Sequence, residues 1–315
     1  MEGSPAIILA PMQGLTEVLF RRVYEECFPG AIPLAVSPFI SLTHGPLNNP
    51  SKLADVLPQN NQGSIAVIPQ ILGKEPEEFV QVANYLGDWG YDEVNWNMGC
   101  PMRMVAAKHR GSGLLPYPDE VRTILDSIIP RLHVKLSVKV RLGLKDKEEI
   151  FRMLPVLNDY PLASITVHPR LGRQQYNGVP DLDTFGRLLP LIKHPVIYNG
   201  DIVAPSDAHN ILQRFPGVKS LMIGRGILYR PTLPVELGRP TLPDQERLQA
   251  NKHFIRRLIT TIRSTFPLEE SALRKTKEYW CLLWKSLPIS EMQARTVLHE
   301  KNMETVEKLI DQFIQ

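Results

Sequence analysis

A cysteine at the end of an apolar stretch is the residue of this sequence with the clearest chemical potential. Cys100 follows the stretch Glu93–Met98 and is flanked by a glycine and a proline, which break a strand and turn the backbone. A thiol at such a point is either a small buried apolar side chain or a group that donates a proton or attacks an electrophile. Its position at a strand end favours the second interpretation.

Two pairs of basic residues occur two positions apart in successive apolar stretches. Lys139 and Arg141 form the first pair, and His168 and Arg170 form the second. Because side chains two apart in a strand share a face, both members of a pair are expected to point to the same side. Four such groups at one place would repel one another unless an anion were bound among them. The pattern therefore predicts a site for an anionic ligand.

Two glycine-containing turns extend the set of candidate binding residues. Asn199-Gly200-Asp201 follows one apolar stretch, and Gly224-Arg225-Gly226 follows the next. Glycine lets backbone N–H groups approach a phosphate closely, and an arginine can add a bidentate contact. Since glycine turns are common, a phosphate site is predicted only if the fold brings these turns together.

The elements that must position these residues are predicted to be parallel strands alternating with helices. The strand candidates are mostly apolar on both faces, as is typical of strands covered on both sides. They are Ile7–Pro11, Pro33–Phe39, Ser64–Leu72, Glu93–Met98, Leu136–Leu142, Ala163–His168, Pro195–Asn199 and Ser220–Ile223. The helix candidates are Thr16–Glu26, Pro76–Leu86, Pro118–Leu132, Lys147–Leu157, Asp181–Leu191 and Pro205–Phe215. Eightfold alternation predicts a (β/α)8 TIM barrel, with a doubly wound sheet as the alternative.

A barrel would bring the candidate residues into one site. Its active site is built at the carboxyl ends of the strands, and Cys100, both basic pairs and both glycine turns fall at those ends. Loops after the seventh and eighth strands commonly hold phosphate, which is where the two turns lie.

The sequence changes character after Arg230. Four prolines mark a predicted linker, and three apolar stripes at helical spacing follow it. The prolines are Pro231, Pro234, Pro240 and Pro243. The stripes are Leu248, Phe254, Leu258 and Ile262, then Ala272, Thr276, Tyr279, Leu283 and Leu287, then Val306, Leu309, Ile310 and Phe313. We therefore predict a barrel domain at residues 1–240 and a small C-terminal α-helical domain at residues 241–315.

Positive charge is concentrated in this helical tail. From Arg247 to Gln315 there are 12 Lys and Arg against 8 Asp and Glu, a surplus of +4, whereas the whole chain carries +3. The ordinary interpretation is a solvated helical surface, and the alternative is a contact surface for an acidic partner such as nucleic acid.

Composition excludes several classes of protein. With 43% apolar and 22% charged residues in a chain of 315, the sequence is globular rather than disordered. No apolar run reaches the ~18–20 residues needed to span a bilayer, and no secretory signal is predicted. Cys27, Cys100 and Cys281 are too widely spaced for a disulfide framework or a zinc site, so no metal is expected. We expect a cytoplasmic monomer with reduced thiols.

The motifs together resemble the dihydrouridine synthase family of flavoenzymes, which reduce uridines in tRNA. They run in order through the predicted barrel as Leu9–Gly14 (LAPMQG), Gln70–Gly73 (QILG), Asn97–Pro101 (NMGCP), Val105 with Gly111–Leu115 (GSGLL), Lys139–Gly143 (KVRLG), Val167–Arg170 (VHPR), Tyr176–Gly178 (YNG), Asn199–Ile202 (NGDI) and Met222–Gly226 (MIGRG). NMGCP with KVRLG and NGDI is specific to that family. The tail is similar only in kind, since the family also carries a C-terminal helical domain that grips tRNA.

The resemblance implies a role for each candidate residue. FMN would be held by Pro11, Met12, Gln70, Lys139, His168, Asn199, Gly200, Asp201, Gly224 and Arg225, the last two at its phosphate. The target uracil would be bound by Asn97, Arg141, Arg170 and Tyr176, and Cys100 would be the proton donor. In the tail, the charge surplus marks Arg274 and Lys277 as contacts to the RNA backbone. NADPH is the expected reductant, although no separate dinucleotide motif is present.

The expected reaction explains why a thiol is suitable. Saturating the uracil C5=C6 bond requires a hydride from reduced flavin at C6 and a proton at C5. A thiol with a pKa near ~8.5 is mostly protonated at pH 7 yet acidic enough to donate. Because C5 and C6 are inaccessible in a stacked base, the uridine is expected to flip into the barrel mouth.

Two segments depart from the family pattern. The family usually has His-Gly-Arg-Thr where this chain has His168–Leu171 (HPRL), and a proline has no N–H to offer a ligand. Lys108-His109-Arg110 is more basic than expected and lies in the loop that should cover the flipped base.

Three other functions are distinguishable by experiment. One is an FMN barrel of the dihydroorotate dehydrogenase type that acts on a free pyrimidine, which would not need the basic tail. Another is an RNA-binding protein with a decayed flavin barrel, against which the retained Cys100 and Lys139 argue. The third is the same chemistry on ribosomal RNA.

Overall fold

Eight parallel strands form a closed barrel in the computed structural model, which describes residues 5–43, 47, 49–238 and 242–315. The strands are β1 (Ala6–Leu9), β2 (Leu34–Ser41), β3 (Ala66–Leu72), β4 (Glu93–Met98), β5 (Lys135–Gly143), β6 (Leu162–Leu171), β7 (Val196–Tyr198) and β8 (Ser220–Ile223). They follow one another around the ring in chain order, and β8 pairs with β1. The predicted TIM barrel and all eight predicted strands are confirmed, and the doubly wound alternative is excluded.

Helices surround the barrel and form the tail. They are α1 (Val18–Cys27), α2 (Pro76–Asp88), α3 (Arg103–Ala106), α4 (Pro118–Ile128), α5 (Glu148–Asn158), α6 (Leu182–Leu188), α7 (Pro205–Arg214), α8 (Arg225–Tyr229), α9 (Leu233–Gly238), α10 (Asp244–Thr265), α11 (Glu269–Leu283), α12 (Glu291–His299) and α13 (Met303–Ile314). The six helices predicted within the barrel domain are confirmed as α1, α2, α4, α5, α6 and α7.

The segment predicted as a linker contains helix α9 instead. Pro234 lies in the first turn of this helix, where its missing N–H has no intrahelical partner to lose. Leu233 is fully buried, so the segment packs against the body of the protein. Pro240, and with it the predicted boundary between residues 240 and 241, lies outside the described residues, and that boundary stays a prediction.

Strand β4 shows how the barrel separates its two faces. Val94, Trp96 and Met98 are fully buried, and the Trp96 ring packs edge-on against Phe79 of α2 at 5.8 Å between centroids. The alternate residues Asn95 and Asn97 turn the other way, into the lumen, because successive side chains in a strand point to opposite faces. At β4 the lumen is therefore polar where the outer layer is apolar, whereas Ile8, Val36 and Met222 belong to a separate apolar cluster on other strands.

The tail packs against the barrel through α1. Phe20 contacts Phe254 of α10 at 5.6 Å and Tyr279 of α11 at 6.0 Å between ring centroids. Tyr279 Oη also donates to the Leu15 carbonyl at 2.8 Å, in the loop that follows β1. Helix α11 is thereby held beside the carboxyl ends of the strands. The three predicted helical stripes lie on α10, α11 and α13, with Leu287 beyond the end of α11, whereas α12 was not predicted.

Within the described ranges, no helix combines the length and the apolar character that crossing a bilayer requires.

Candidate active site at the barrel mouth

The basic residues predicted from the strand ends do converge. Strand pairing sets Asn97 level with Lys139, and Arg141 level with His168. His168 is 7% exposed, and burial lowers its pKa well below the ordinary value of 6.5. The nearby charges of Arg141, Lys139, Arg170 and Arg225 lower that pKa further, which places all four cations around one imidazole. His168 is therefore neutral at pH 7.

Arg170 uses all of its donors inside the protein. Its Nη1 donates to Asp201 Oδ1 at 3.0 Å and to His168 Nε2 at 3.1 Å, and its Nη2 donates to Asp201 Oδ2 and the Gly178 carbonyl. Nε donates to the Asn177 carbonyl at 3.3 Å. A guanidinium has five N–H groups, and all five are accounted for. These contacts make Arg170 a support for His168 and for the loop after β6, while its predicted contact to substrate stays a prediction.

Asp201 joins two of the basic residues. Besides Arg170, its Oδ1 accepts from Arg225 Nη2 at 2.8 Å. Burial raises the pKa of Asp201, but the two guanidinium groups together hold it below its ordinary value of 3.8, so Asp201 is ionised. Asp201 thus neutralises part of the positive charge for which a bound anion was predicted.

Tyr176 lies between two guanidinium groups at the rim. Its ring centre is 5.0 Å from the Arg225 guanidinium and 5.6 Å from that of Arg141, and its side chain is 53% exposed. Two cations near one aromatic ring hold it in place, and about half of the residue stays exposed to contact a ligand. This geometry is compatible with the predicted contact to a base.

Arg141 fastens two loops to the barrel. Its Nε donates to the Gly99 carbonyl at 2.9 Å, and its Nη1 donates to the carbonyls of Leu171 and Gln175 at 3.0 and 2.7 Å. Nη2 makes no hydrogen bond with any described residue. It is therefore the one end of this buried side chain that can donate to a ligand.

Lys139 is a buried amine without a carboxylate partner among the described residues. Burial, with a smaller contribution from Arg141, lowers its pKa from 10.5 to about 7. An amine in this state is half protonated at neutral pH and gains a full charge when an anionic group approaches.

Hydrogen bonds to its backbone N–H and carbonyl hold Cys100 in place. Its N–H donates to Asn97 Oδ1 at 2.8 Å, and its carbonyl accepts from the Ser112 hydroxyl at 2.8 Å and the Ser112 N–H at 3.0 Å. Gly111 has a φ of +57°, and a Cβ there would lie 2.8 Å from the Cys100 Cβ, so glycine is required on both counts. The thiol is 8% exposed, and burial raises its pKa above 9.0 against the opposing effects of Arg141 and Lys139. Cys100 is protonated at pH 7.

The predicted phosphate turns lie on adjacent strands. Asn199 Nδ2 donates to the Met222 carbonyl at 2.8 Å, which ties the loop after β7 to β8, and Gly200 follows it. Gly224 precedes α8, and a Cβ at this position would lie 3.0 Å from Met12 Sδ, in the loop after β1. Pro11 is half-buried in that same loop. Gln70 is fully buried at the end of β3, where its amide bonds to Asn95 and Asn97.

The two departures from the family pattern have structural explanations. Pro169 lies where the β5–β6 register shifts between His168 and Leu171, so the ladder lacks a regular hydrogen bond at this point. In the other segment, His109 stacks on Tyr117 at 4.0 Å between centroids and its Nδ1 lies 3.0 Å from Glu120 Oε2. The basic loop is thereby fastened to the start of α4.

Ser112, Asn95 and Ser137 also belong to the site, although they were not predicted from the sequence. Ser112 holds the Cys100 carbonyl, and the other two lie in the lumen below Gln70. The signal available in the sequence was the recurrence of polar residues at every second position of β4 and β5, which marks a polar lumen face.

Six cationic residues of the tail are candidates to contact RNA: Arg256, Arg257, Arg274, Lys275, Lys277 and Arg295. Of these, Arg274 alone is free of ion pairs and hydrogen bonds within the described part of the chain. Lys277 Nζ donates to the Glu300 carbonyl, and Lys275 Nζ donates to the Gly14 carbonyl at 2.8 Å and pairs with Glu278. The remaining three are also engaged, Arg256 with the Ile314 carbonyl, Arg257 with Glu26 and Arg295 with Glu291.

The barrel is similar in fold to solved oxidoreductase structures. Histamine dehydrogenase from Rhizobium sp. 4-9 matches with a TM-score of 0.56 at 10% identity, over 81% of this chain and 49% of that chain. The old yellow enzyme homologue from Zymomonas mobilis matches with a TM-score of 0.54 at 12% identity, over 73% of this chain and 87% of that chain. At these identities the likeness establishes the TIM-barrel fold alone.

Residues 8–310 match the protein family described as dihydrouridine synthase. The chain is 31% identical over 226 residues to tRNA-dihydrouridine synthase B of Shewanella oneidensis, covering 71% of this chain and 68% of that protein. It is also 31% identical over 229 residues to tRNA-dihydrouridine synthase B of Escherichia coli K12, with coverage of 71% and 68%. The chain belongs to the dihydrouridine synthase family, and it is an oxidoreductase that uses a flavin.

The residues at the mouth fit a flavin. Lys139 Nζ and Arg141 Nη2 are donors without an acceptor among the described residues, as an anionic or carbonyl-rich ring system requires.

Proposed function

We propose that this protein reduces a uridine of tRNA to 5,6-dihydrouridine, with FMN as its cofactor and NADPH as the reductant. The observation that carries the proposal is a protonated thiol, Cys100, held at the barrel mouth beside Lys139 Nζ and Arg141 Nη2, two donors that have no acceptor among the described residues. Flavin alone would serve many reductases, whereas a fixed thiol acid suits the saturation of a pyrimidine double bond. The tRNA and the free thiols fit a cytoplasmic location.

The site residues divide into those that bind FMN and those that face the base. Lys139 stabilises negative charge on the ring system, and the loops after β7 and β8, with Arg225, bind the phosphate. Pro11, Met12, Gln70, His168, Asn199, Gly200, Asp201 and Gly224 complete the FMN site. The bound cofactor supplies the hydride for uracil C6.

Cys100 supplies the proton for uracil C5. Its thiol loses the proton to the substrate and becomes a thiolate, which the neighbouring charges of Lys139 and Arg141 stabilise. Tyr176 stacks on the flipped base and Arg141 Nη2 donates to it, while Asn97 and Arg170 hold the surrounding backbone and side chains. Water or another acid then restores the thiol.

The proposal is tested by mapping dihydrouridine in the RNA of cells with and without the gene. Loss of the modification at one tRNA position, restored by the gene, is the expected result. Loss in ribosomal RNA alone would overturn the tRNA assignment. Unchanged RNA, together with reduction of a free pyrimidine by the purified enzyme, would favour the dihydroorotate-type alternative.

Binding of FMN should take up a proton through Lys139. The lowered pKa, about 7, means that the free enzyme carries this charge below pH 7 and loses it above. A flavin ring whose oxygen atoms accept a hydrogen bond from the charged amine raises its pKa toward the ordinary range, so uptake by Lys139 should rise from near zero at pH 5.5 to about one proton at pH 8.5. Calorimetry in buffers with different ionisation enthalpies measures it. Lys139→Met should abolish the uptake at pH 8.5, and a pH-independent uptake in the parent would contradict the assignment.

Arg274 is the tail residue best placed to contact the RNA backbone. It is exposed on α11, the helix whose Lys275 and Tyr279 bond to the loop after β1 at the mouth. Lys277, the other predicted contact, has its amine occupied by the Glu300 carbonyl and contributes charge without being free to reach a phosphate.

Arg274→Ala should weaken tRNA binding and make it less dependent on salt. Removing one arginine–phosphate ion pair reduces the slope of log affinity against log salt by ~0.7–0.9, which filter binding across a salt series measures. Arg295→Ala is the matched control, because Arg295 is also exposed on the tail but is paired with Glu291. Equal slopes for Arg274→Ala and the parent would place the RNA-binding surface elsewhere.

A further inference from the structure

A continuous chain of hydrogen bonds runs through the barrel lumen below Cys100. Asn97 Nδ2 donates to Gln70 Oε1 at 2.7 Å, and Gln70 Nε2 donates to Asn95 Oδ1 at 2.8 Å. Asn95 Nδ2 then donates to Ser137 Oγ at 2.9 Å. All four residues are buried, so a broken link leaves a polar group unsatisfied away from water.

Asn97, at the end nearest Cys100, fixes which group donates and which accepts in every hydrogen bond of this series. Asn97 Oδ1 accepts from the backbone N–H groups of Gly99 and Cys100, at 3.0 and 2.8 Å. Backbone N–H groups only donate, so the Asn97 oxygen must face them and its NH2 must face Gln70. The same reasoning orients Gln70 and then Asn95. The Ser137 hydroxyl is the last group of the series and lies beside Glu93. Burial raises the pKa of Glu93, and the hydrogen bond with Ser137 offsets part of that rise.

We propose that Asn95, supported by Ser137, is a positioning residue for the reaction. It fixes the amide of Gln70, and through Gln70 it braces Asn97 and the turn that carries Cys100. This inference rests on the proposed function, in which Gln70 faces the flavin and Cys100 donates the proton. One N–H of the Gln70 amide has no partner within the described ranges. This series of hydrogen bonds therefore keeps the distance between the flavin and the Cys100 thiol constant.

The prediction is tested by alkylation of Cys100 in a Cys27→Ser, Cys281→Ser background, in which it is the sole thiol. Asn95→Leu removes both amide bonds and should raise the rate of reaction with iodoacetamide about fivefold, because the turn loses its brace. It should also shift the visible spectrum of bound flavin and lower kcat on tRNA with little change in KM. Asn95→Asp keeps the acceptor for Gln70, so it should restore alkylation to within about twofold of the parent.

Asn84→Leu is the matched control, since it removes an amide that makes two hydrogen bonds on α2, away from the mouth. Alkylation and flavin spectrum in Asn95→Leu equal to those of Asn84→Leu would overturn the proposal. If Asn95→Leu does not fold, Ser137→Ala removes only the last link and should still give about a twofold increase, whereas an unchanged rate would overturn the proposal. Because alkylation needs no tRNA, an enzyme inactive on tRNA would refute the proposed function without affecting this test.

Discussion

Cys100→Ala should lower the rate of dihydrouridine formation by ~10²–10⁴, the usual contribution of a general acid. Flavin content and oxidation of NADPH in the absence of tRNA should stay at the level of the parent, because alanine leaves the backbone bonds to Asn97 and Ser112 intact. Single-turnover assays on tRNA with pre-reduced enzyme measure the effect without interference from flavin reduction.

The controls for this variant are already present in the chain. Cys27 on α1 and Cys281 on α11 are not among the residues that converge at the mouth, and their alanine variants should turn over tRNA at the parent rate. The protonated thiol is the active form and burial raises its pKa, so the parent rate should fall only in the alkaline range, above the pH at which an ordinary thiol titrates. A Cys100→Ala rate within tenfold of the parent would mean that the proton comes from water or Tyr176.

Arg225→Ala should weaken FMN binding by about 2–3 kcal/mol, a factor of roughly 30 to 150 in the dissociation constant. The variant cannot make the predicted bond to the phosphate. It also releases Asp201 from one partner and removes one of the two cations beside Tyr176. Fluorescence titration of flavin-free protein with FMN measures the change.

A second arginine of the same chain provides a close control for that measurement. Arg214 also pairs with one carboxylate, Asp183, and lies over one aromatic ring, Phe215, at 5.3 Å, but it ends α7 outside the mouth. Arg214→Ala should leave FMN binding unchanged. Full flavin occupancy of Arg225→Ala after long dialysis would refute the phosphate assignment.

The contacts of the basic residues give them two distinct tasks. Arg170 has no N–H left to donate, and Arg141 has only Nη2, so both serve first to fix backbone and the neutral His168. Lys139, without a carboxylate partner among the described residues, is the group whose charge responds to what is bound. Guanidinium groups held in fixed positions around the neutral His168, together with one titratable amine, let the site accept a group of variable charge without rearranging.

The local sequence was sufficient to determine the barrel. Apolar runs that are buried on both faces, broken by turns and separated by helix-length intervals, predict parallel strands because only helices on the outside and a filled lumen can cover both faces. The same pattern set Cys100, Lys139, Arg141, His168 and Arg225 at strand ends, where a parallel barrel must bring them together. Thus the location of the site follows from strand order alone.

Only the tertiary structure decided which donor atoms of those residues remain available to bind a ligand. Arg141 and Lys139 are equivalent in sequence, two apart on one strand, yet Arg141 donates to carbonyls of two remote loops whereas the Lys139 amine donates to none of the described residues. Likewise, Arg274 and Lys277 share a helix face by spacing, but the Glu300 carbonyl occupies only Lys277. A strand period fixes the direction of a side chain, whereas its partners are carbonyls and carboxylates distant in sequence, whose positions depend on how the loops fold together.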